Sequence, residues 1–341
     1  MQVSNALDTM AVREATFGDI LIIDFEKDIP YTKIKDTKDF EALTITKDDR
    51  IYQKVEEIFK QPNRINVVSV FGSAEEDLKA ELDTMYVKNK SFFFVLMSKF
   101  DEKKSKDVID WAIAKGKIPV YLTEKDMTIE KMETFFKTLN NIGIAIATKN
   151  DNDFVDSKII GLMATTTPGK DKFEWKEPSG AMQSGFTTTE EDKLEELGIN
   201  TIQEEREGIL GFFPGKCANG EFIDIVWGNA NMQYDIETAF ILAERKPYKI
   251  YHPGNDPRGV VQVEGIIQSI IDEYAGEDRD FIALDENGKA KAIIKVKTNY
   301  TEQDIKARKF QASWAAIPAG SASYGKIEGL LTFDKSKVEG A

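Results

Sequence analysis

Few residues of this chain are of a type that does chemistry unaided. Cys217 is its only cysteine and His252 its only histidine. A thiolate nucleophile needs a neighbouring base or a positive field, and "GKCANG" around Cys217 supplies neither. No intramolecular disulfide and no multi-cysteine metal cluster can form. A lone histidine also rules out His-rich metal sites. It lies in "YHPGNDPRG", a Pro/Gly-rich connection that reads as a loop or an interface. The remaining candidates are carboxylates and hydroxyls at strand ends: Asp24, Asp101 and Glu124, with Ser98, Thr123 and Thr128 beside them. These types cap helices as a matter of routine. A nucleotide would need a glycine-rich cradle. The one strand–turn–helix of that sort, "VFGSAEED", has Gly72-Ser73 but neither the further glycines nor the lysine. Its helix opens on Glu75, Glu76 and Asp77, which repel a phosphate. The expectation is therefore no catalytic residue, no cofactor and no metal. The alternative is a nucleotide-binding α/β enzyme using Asp24, Asp101 or Glu124.

The elements that carry these residues alternate in type. "GDILIIDF", "INVVSVFG", "SFFFVLMS", "KIPVYLTE" and "IGIAIATK" read as buried strands. Between them "DDRIYQKVEEIFKQP", "AEEDLKAELDTMY", "DEKKSKDVIDWAIAKG" and "TIEKMETFFKTLN" read as helices. "DFVDSKIIGLMAT" follows as another. Near-continuous apolar strands joined by helices predict a mostly parallel sheet covered on both faces. From Thr165 the chain is turn-rich and polar, with a short helix in "TTTEEDKLEELGI". Two strands are expected across "NTIQEEREGILGFFPG". "GKCANGEFIDIVWG" is expected to be a hairpin turning at Asn219-Gly220. In that reading Phe222, Asp224 and Val226 lie on one face and Ile223, Ile225 and Trp227 on the other.

Helices are expected at "NMQYDIETAFILAERKP", with Met232, Ile236, Phe240 and Ala243 on one stripe, and from Asp256-Pro257 through Tyr274. A second Asn-Gly hairpin is expected at Asn287-Gly288, then a short helix in "YTEQDIKARKF" and a closing pair of strands across Pro318 to Ser321. The fold class is thus α/β plus α+β: an α/β domain at 17–165, an interdomain crossing at 166–200 and a mixed α+β domain at 201–333. Residues 1–16 read as an extended arm and 334–341 as a loose tail.

Charge and hydropathy narrow the partners. The net charge of -14 opposes binding to nucleic acid or to an anionic membrane. Apolar runs such as "SFFFVLM" are of strand length, short of a membrane span. The opening "MQVSNALDTMAVREATFGD" is not read as a signal peptide.

The order of features in the second half resembles the C-terminal domain of contractile phage tail sheath proteins. A strand like "INTIQEER" precedes a hairpin of the type "GKCANGEFIDIVWG", which feeds a long helix. A proline-broken link, "ERKPYKIYHPGNDPRG", leads to the helix "VVQVEGIIQSIIDEYAG". The helix with Asp304 and Arg308 in "TEQDIKARKF" and strands around "SWAAIPAGSASYGKIEG" close the unit. The resemblance covers roughly Thr201 to Phe333, and more weakly "ATFGDILIIDF". It implies a non-enzymatic subunit that forms hexameric rings in a helical polymer around a tail tube protein, ended by baseplate and tail terminator proteins. It implies a place in the virion tail, assembled in the host bacterial cytoplasm. Terminal arms would add strands to neighbouring copies, which points to Val3, Leu7, Met10 and Val12 at one end. At the other end it points to Ile327, Leu330, Leu331 and Phe333. The basic residues Lys306, Arg308 and Lys309 are the candidate tube contact.

Overall fold

A computed structural model describes residues 17–321, apart from 138, 140 and 248. Eight strands form one sheet in the order β2-β3-β1-β4-β5-β6-β7-β8. They are β1 (Ile20–Asp24), β2 (Ile29–Ile34), β3 (Val68–Gly72), β4 (Phe94–Met97), β5 (Ile118–Leu122), β6 (Ile144–Ile146), β7 (Ile199–Arg206) and β8 (Ile209–Phe213). From β3 to β7 all neighbours run parallel, while β2 and β8 close the two edges antiparallel. The strands are apolar on both sides because both faces are covered. Ile20, Ile22, Phe94, Leu96, Ile144 and Ile146 enter one hydrophobic cluster. The alternate residues Leu21, Ile23, Val95, Met97 and Ala145 enter the other.

Helices α1 (Arg50–Phe59) and α5 (Val155–Met163) cover the first face through Ile51, Val55, Ile58, Ile159, Ile160 and Met163. The second face is covered by α2 (Leu78–Lys88), α3 (Glu102–Ala114), α4 (Ile129–Lys137) and α6 (Thr188–Glu196). Leu82, Trp111, Phe135 and Leu194 are among their contacts. The strand–helix alternation expected from the sequence is present. Two elements carry no such signal. Strand β2 contains Pro30, which only an edge position tolerates, and a 3-10 helix spans Thr37–Leu43. Strands β7 and β8, expected to open the second half, instead complete the sheet of the first.

One element differs in kind. Asn219-Gly220 does turn the chain: Gly220 has φ +86 and its N–H donates to the Cys217 carbonyl at 2.9 Å. Only Lys216 and Phe222 pair across the turn, however, and "IDIVWG" is the start of α7 (Ile223–Glu244), not a strand. The burial explains this. Ile223 and Trp227 lie four apart, and both are buried in the cluster on the first face of the sheet. Trp227 packs against Phe94 and Phe173 at 5.5 and 5.8 Å, and its indole N–H donates to the Phe17 carbonyl. Gly228 is required next to it: a Cβ there would lie 2.7 Å from the Cα of Gly169.

Further along, α7 leaves the sheet. Met232, Ile236 and Phe240 join α8 (Pro257–Ala275) in a separate cluster with Val263, Ile267, Ile271, Tyr274 and Phe281. As the sequence suggests, Asp256 caps α8, accepting from the Arg258 N–H, and Pro257 is in its first turn. The chain then forms β9 (Ala292–Val296), α9 (Glu302–Lys306) and β10 (Ala312–Ala316). The turn at Asn287-Gly288 is present, bridged by Leu284 and Ala290. The partner of β10 is β9, and the strand expected after Ser321 lies outside the described residues.

Between α1 and α5 the packing includes an ion pair, Lys54 with Asp156, almost fully buried on both sides. Desolvation holds the Lys54 ammonium below the usual lysine range despite the carboxylate. Replacing Lys54 by Met strands that carboxylate in the core and should cost about 3–5 kcal/mol. The double change Lys54→Met with Asp156→Leu should recover most of it, read from urea denaturation midpoints. A double variant as unstable as the single one would show that the charge was not the cause.

Candidate assembly surface

Most of the residue types with chemical potential are engaged in local structure. Asp24 accepts backbone N–H groups from Glu26 and Lys27 at 2.8 and 2.9 Å. Asp101 caps α3, accepting from the Lys104 N–H at 2.8 Å, and the Thr128 hydroxyl accepts from Lys131. Ser98 is buried, and its carbonyl accepts from the Arg50 guanidinium. Glu124 is exposed. Thr123 departs from the capping expectation: its hydroxyl is buried with no hydrogen-bond partner among the described residues. Cys217 is buried, and burial, with Asp224 and Glu221 nearby, pushes its thiol far above the ordinary range.

His252 works as a connector. Its Nδ1 accepts from the Gly254 N–H at 3.0 Å, so the proton sits on Nε2 and is donated to the Lys309 carbonyl at 2.8 Å. Its ring meets Tyr300 edge-on at 4.9 Å. The loop before α8 is thereby tied to the segment that follows α9.

That segment belongs to the least self-sufficient part of the fold. Strands β9 and β10 pair antiparallel from Ala312 opposite Val296 to Ala316 opposite Ala292. Among the described residues they pair with each other alone, so each presents an outer edge of main-chain donors and acceptors. A lone two-stranded ribbon is marginal in water. Here Ile294, Val296, Trp314 and Ala316 rest on the cluster of α7 and α8. The alternate residues face away. Ile293 is 63% exposed and Ile317 58%, with Lys295, Ser313 and Ala315 between them. The sequence marks this face in the alternation of "KAIIKVK", whose odd positions are the outward ones.

Helix α9 opens on a capping box, in which Thr301 and Asp304 bond each other's backbone and side chain. The Thr301 hydroxyl holds the Asp304 carboxyl below the usual carboxylate range. Past the C-cap Ala307 the chain turns at Arg308, with φ +56, and the Lys309 N–H reaches back to the Asp304 carbonyl. Lys306, Arg308 and Lys309 are thus brought together on one exposed turn. Phe310 beneath them packs on Phe240 of α7 at 5.5 Å. The expected arm residues Val3, Leu7, Met10, Val12, Ile327, Leu330, Leu331 and Phe333 lie outside the described residues.

No family model matches the chain, and no curated protein matches its sequence. Solved structures do match its fold. A chain of the anti-feeding prophage baseplate, a six-fold symmetrised cryo-EM structure, aligns with TM-score 0.70 at 13% identity, over 95% of this chain and 96% of that one. A chain of an extracellular contractile injection system, the PVC sheath complex in its contracted state, aligns with TM-score 0.68 at 12% identity, over 94% and 93%. Over more than nine-tenths of the chain the fold is that of these contractile-system components, in line with the sheath resemblance carried by the sequence.

The raised Cys217 thiol gives a direct check on the packing around the turn. In native protein at pH 8 iodoacetamide should leave Cys217 unmodified, and labelling should rise only with unfolding in urea. Rapid labelling of the native state would contradict the buried placement.

Proposed function

We propose that this chain is the structural subunit of a contractile sheath. Copies assemble as hexameric rings stacked around an inner tube, and contraction drives the tube through a cell envelope. The observation that carries the reading is the open two-stranded sheet, β9 with β10, in a chain whose fold matches that of a chain of a contracted sheath complex over 94% of its length. Strand addition at such an edge is a recurrent mode of assembly. The strands would come from neighbours, through the arm at 1–16 and the segment around Ile327, Leu330, Leu331 and Phe333. Each main-chain hydrogen bond so formed contributes about 0.5–1.5 kcal/mol net. A handful per arm makes a joint that survives large rigid-body displacement. Because donor and acceptor surfaces differ, the contact does not close on itself and propagates as rings or helices.

The role asks for no catalytic group, cofactor or metal. Its partners would be other copies, the tube protein, and the baseplate and terminator proteins at the ends, in a tail assembled in the host bacterial cytoplasm. The likeness to a baseplate chain favours one second reading, a sheath-like component that forms a single ring. Electron microscopy of the purified protein separates the two: long tubes for the sheath, isolated rings for the other.

Removing Met1 to Ala11, or ending the chain after Gly325, should leave circular dichroism unchanged and abolish tubes and rings. Normal tubes from both shortened proteins would rule out strand donation. The exposed turn Lys306, Arg308, Lys309 is the proposed tube contact. Changing Lys306 and Lys309 to Glu should weaken assembly on the tube while sparing polymer formed without it. Equal effects on both would remove that assignment.

A further inference from the structure

We propose a second contact between copies: the tip of the β7–β8 hairpin of one copy docks on the outward face of the β9–β10 sheet of another. The inference rests on the polymer reading above but uses surfaces distinct from the strand edges.

The hairpin outruns the sheet that anchors it. Strand β7 pairs with β6 only at Ile199 and Asn200, whereas its ladder with β8 continues to Arg206 opposite Ile209. Every residue from Glu204 to Ile209 is exposed. The tip is ordered by its own bonds: the Glu204 carboxylate accepts from the Gly208 N–H at 2.7 Å, and Gly208 turns at φ +77. It presents Glu204, Glu205 and Glu207 against a single Arg206, with Ile209 beside them, 54% exposed. No ion pair among the described residues engages Glu205 or Glu207.

The sheet face has the opposite character. Lys291, Ile293, Lys295 and Lys297 follow at every second position and so share one side of β9. Across the ladder stand Ile317, Ala315 and Ser313. From Lys289 to Lys309 seven basic residues meet only two acidic ones, Glu302 and Asp304, in a chain of net charge -14. Among the described residues no ion pair engages Lys291 or Lys295. Two separate features thus bear unpaired charge of opposite sign, each beside an exposed isoleucine. From Lys291 to Lys297 the face spans about 20 Å, room for a hairpin tip laid across it.

The occupant is a second copy because this chain itself supplies the complementary surface. Docking pairs the carboxylates with the lysines and places Ile209 against Ile293 and Ile317. Acidic tip and basic face are different patches, so the contact is heterologous and propagates. Exposed charges contribute little singly. Their effect here is to select register and partner.

Charge reversal tests it. Glu204→Lys with Glu205→Lys and Glu207→Lys should reduce sedimentable polymer at least about tenfold at physiological salt. So should Lys291→Glu with Lys295→Glu and Lys297→Glu. The protein carrying all six changes should assemble like the original. Folding of each is checked by circular dichroism. Wild-type assembly by either triple variant, or failure of the sixfold variant to recover, would overturn the contact. If the unaltered protein forms no polymer, the sheath reading fails. The contact is then decided by carbodiimide coupling in a concentrated mixture of isotope-labelled and unlabelled protein. A bond between Glu207 of one copy and Lys295 of another supports it, and its absence refutes it.

Discussion

One helix carries the chain from the sheet into the separate cluster around α8. α7 is 22 residues long, Ile223–Glu244, and so spans about 33 Å. Its first turns are buried against the eight-stranded sheet through Ile223 and Trp227, and from its middle onward Met232, Ile236 and Phe240 enter the cluster of α8, β9 and β10. A continuous helix transmits displacement without hinging, since every backbone N–H inside it is already bonded. The candidate assembly surface is therefore joined to the α/β body by one stiff member, with Lys170 on the Glu277 carbonyl and Phe281 against Gly169 as further contacts. Gly228 and Gly169 make the close crossing beside it possible. A body that slides in a contracting lattice would carry its strand-accepting sheet with it, and the compliance would have to come from the arms.

That helix is also where the sequence misleads. "EFIDIVWG" is a short apolar run after an Asn-Gly turn, which suits a hairpin strand buried on both faces, yet Ile223 and Trp227 stand equally at helical spacing. Over so short a stretch the two periods coincide, and only the sheet waiting for Trp227 decides between them. Elsewhere the reading is secure where a strand is apolar on both faces, as "ILII" and "FFFVLM" are, because only a doubly covered sheet tolerates that pattern. Strand β2 was not legible, because Pro30 argues against a strand unless its edge position is known. The membership of β7 and β8 was not legible either. Pairing between β6 and β7 spans only Ala145–Ile199 and Ile146–Asn200, and no local pattern announces it.

The candidate site was legible in its chemistry more than in its geometry. The basic turn at Lys306, Arg308 and Lys309 stands out in an acidic chain. The role of His252 in holding that turn through the Lys309 carbonyl depends on contacts across more than fifty residues. Residues that suggest catalysis, Asp24 and Asp101 above all, are consumed by the need of turns and helix starts for acceptors. On the surface, two open strand edges, a face studded with lysine and isoleucine, and a projecting acidic hairpin remain without partners among the described residues. On the proposed reading, other copies of the chain would meet that demand.

The most direct measurement is a helical reconstruction of the polymer at a resolution that traces the main chain. Strands β9 and β10 should be the inner pair of a four-stranded sheet whose outer strands come from other copies. A polymer in which β9 and β10 remain a two-stranded ribbon with both edges open to solvent would contradict strand donation as the basis of assembly.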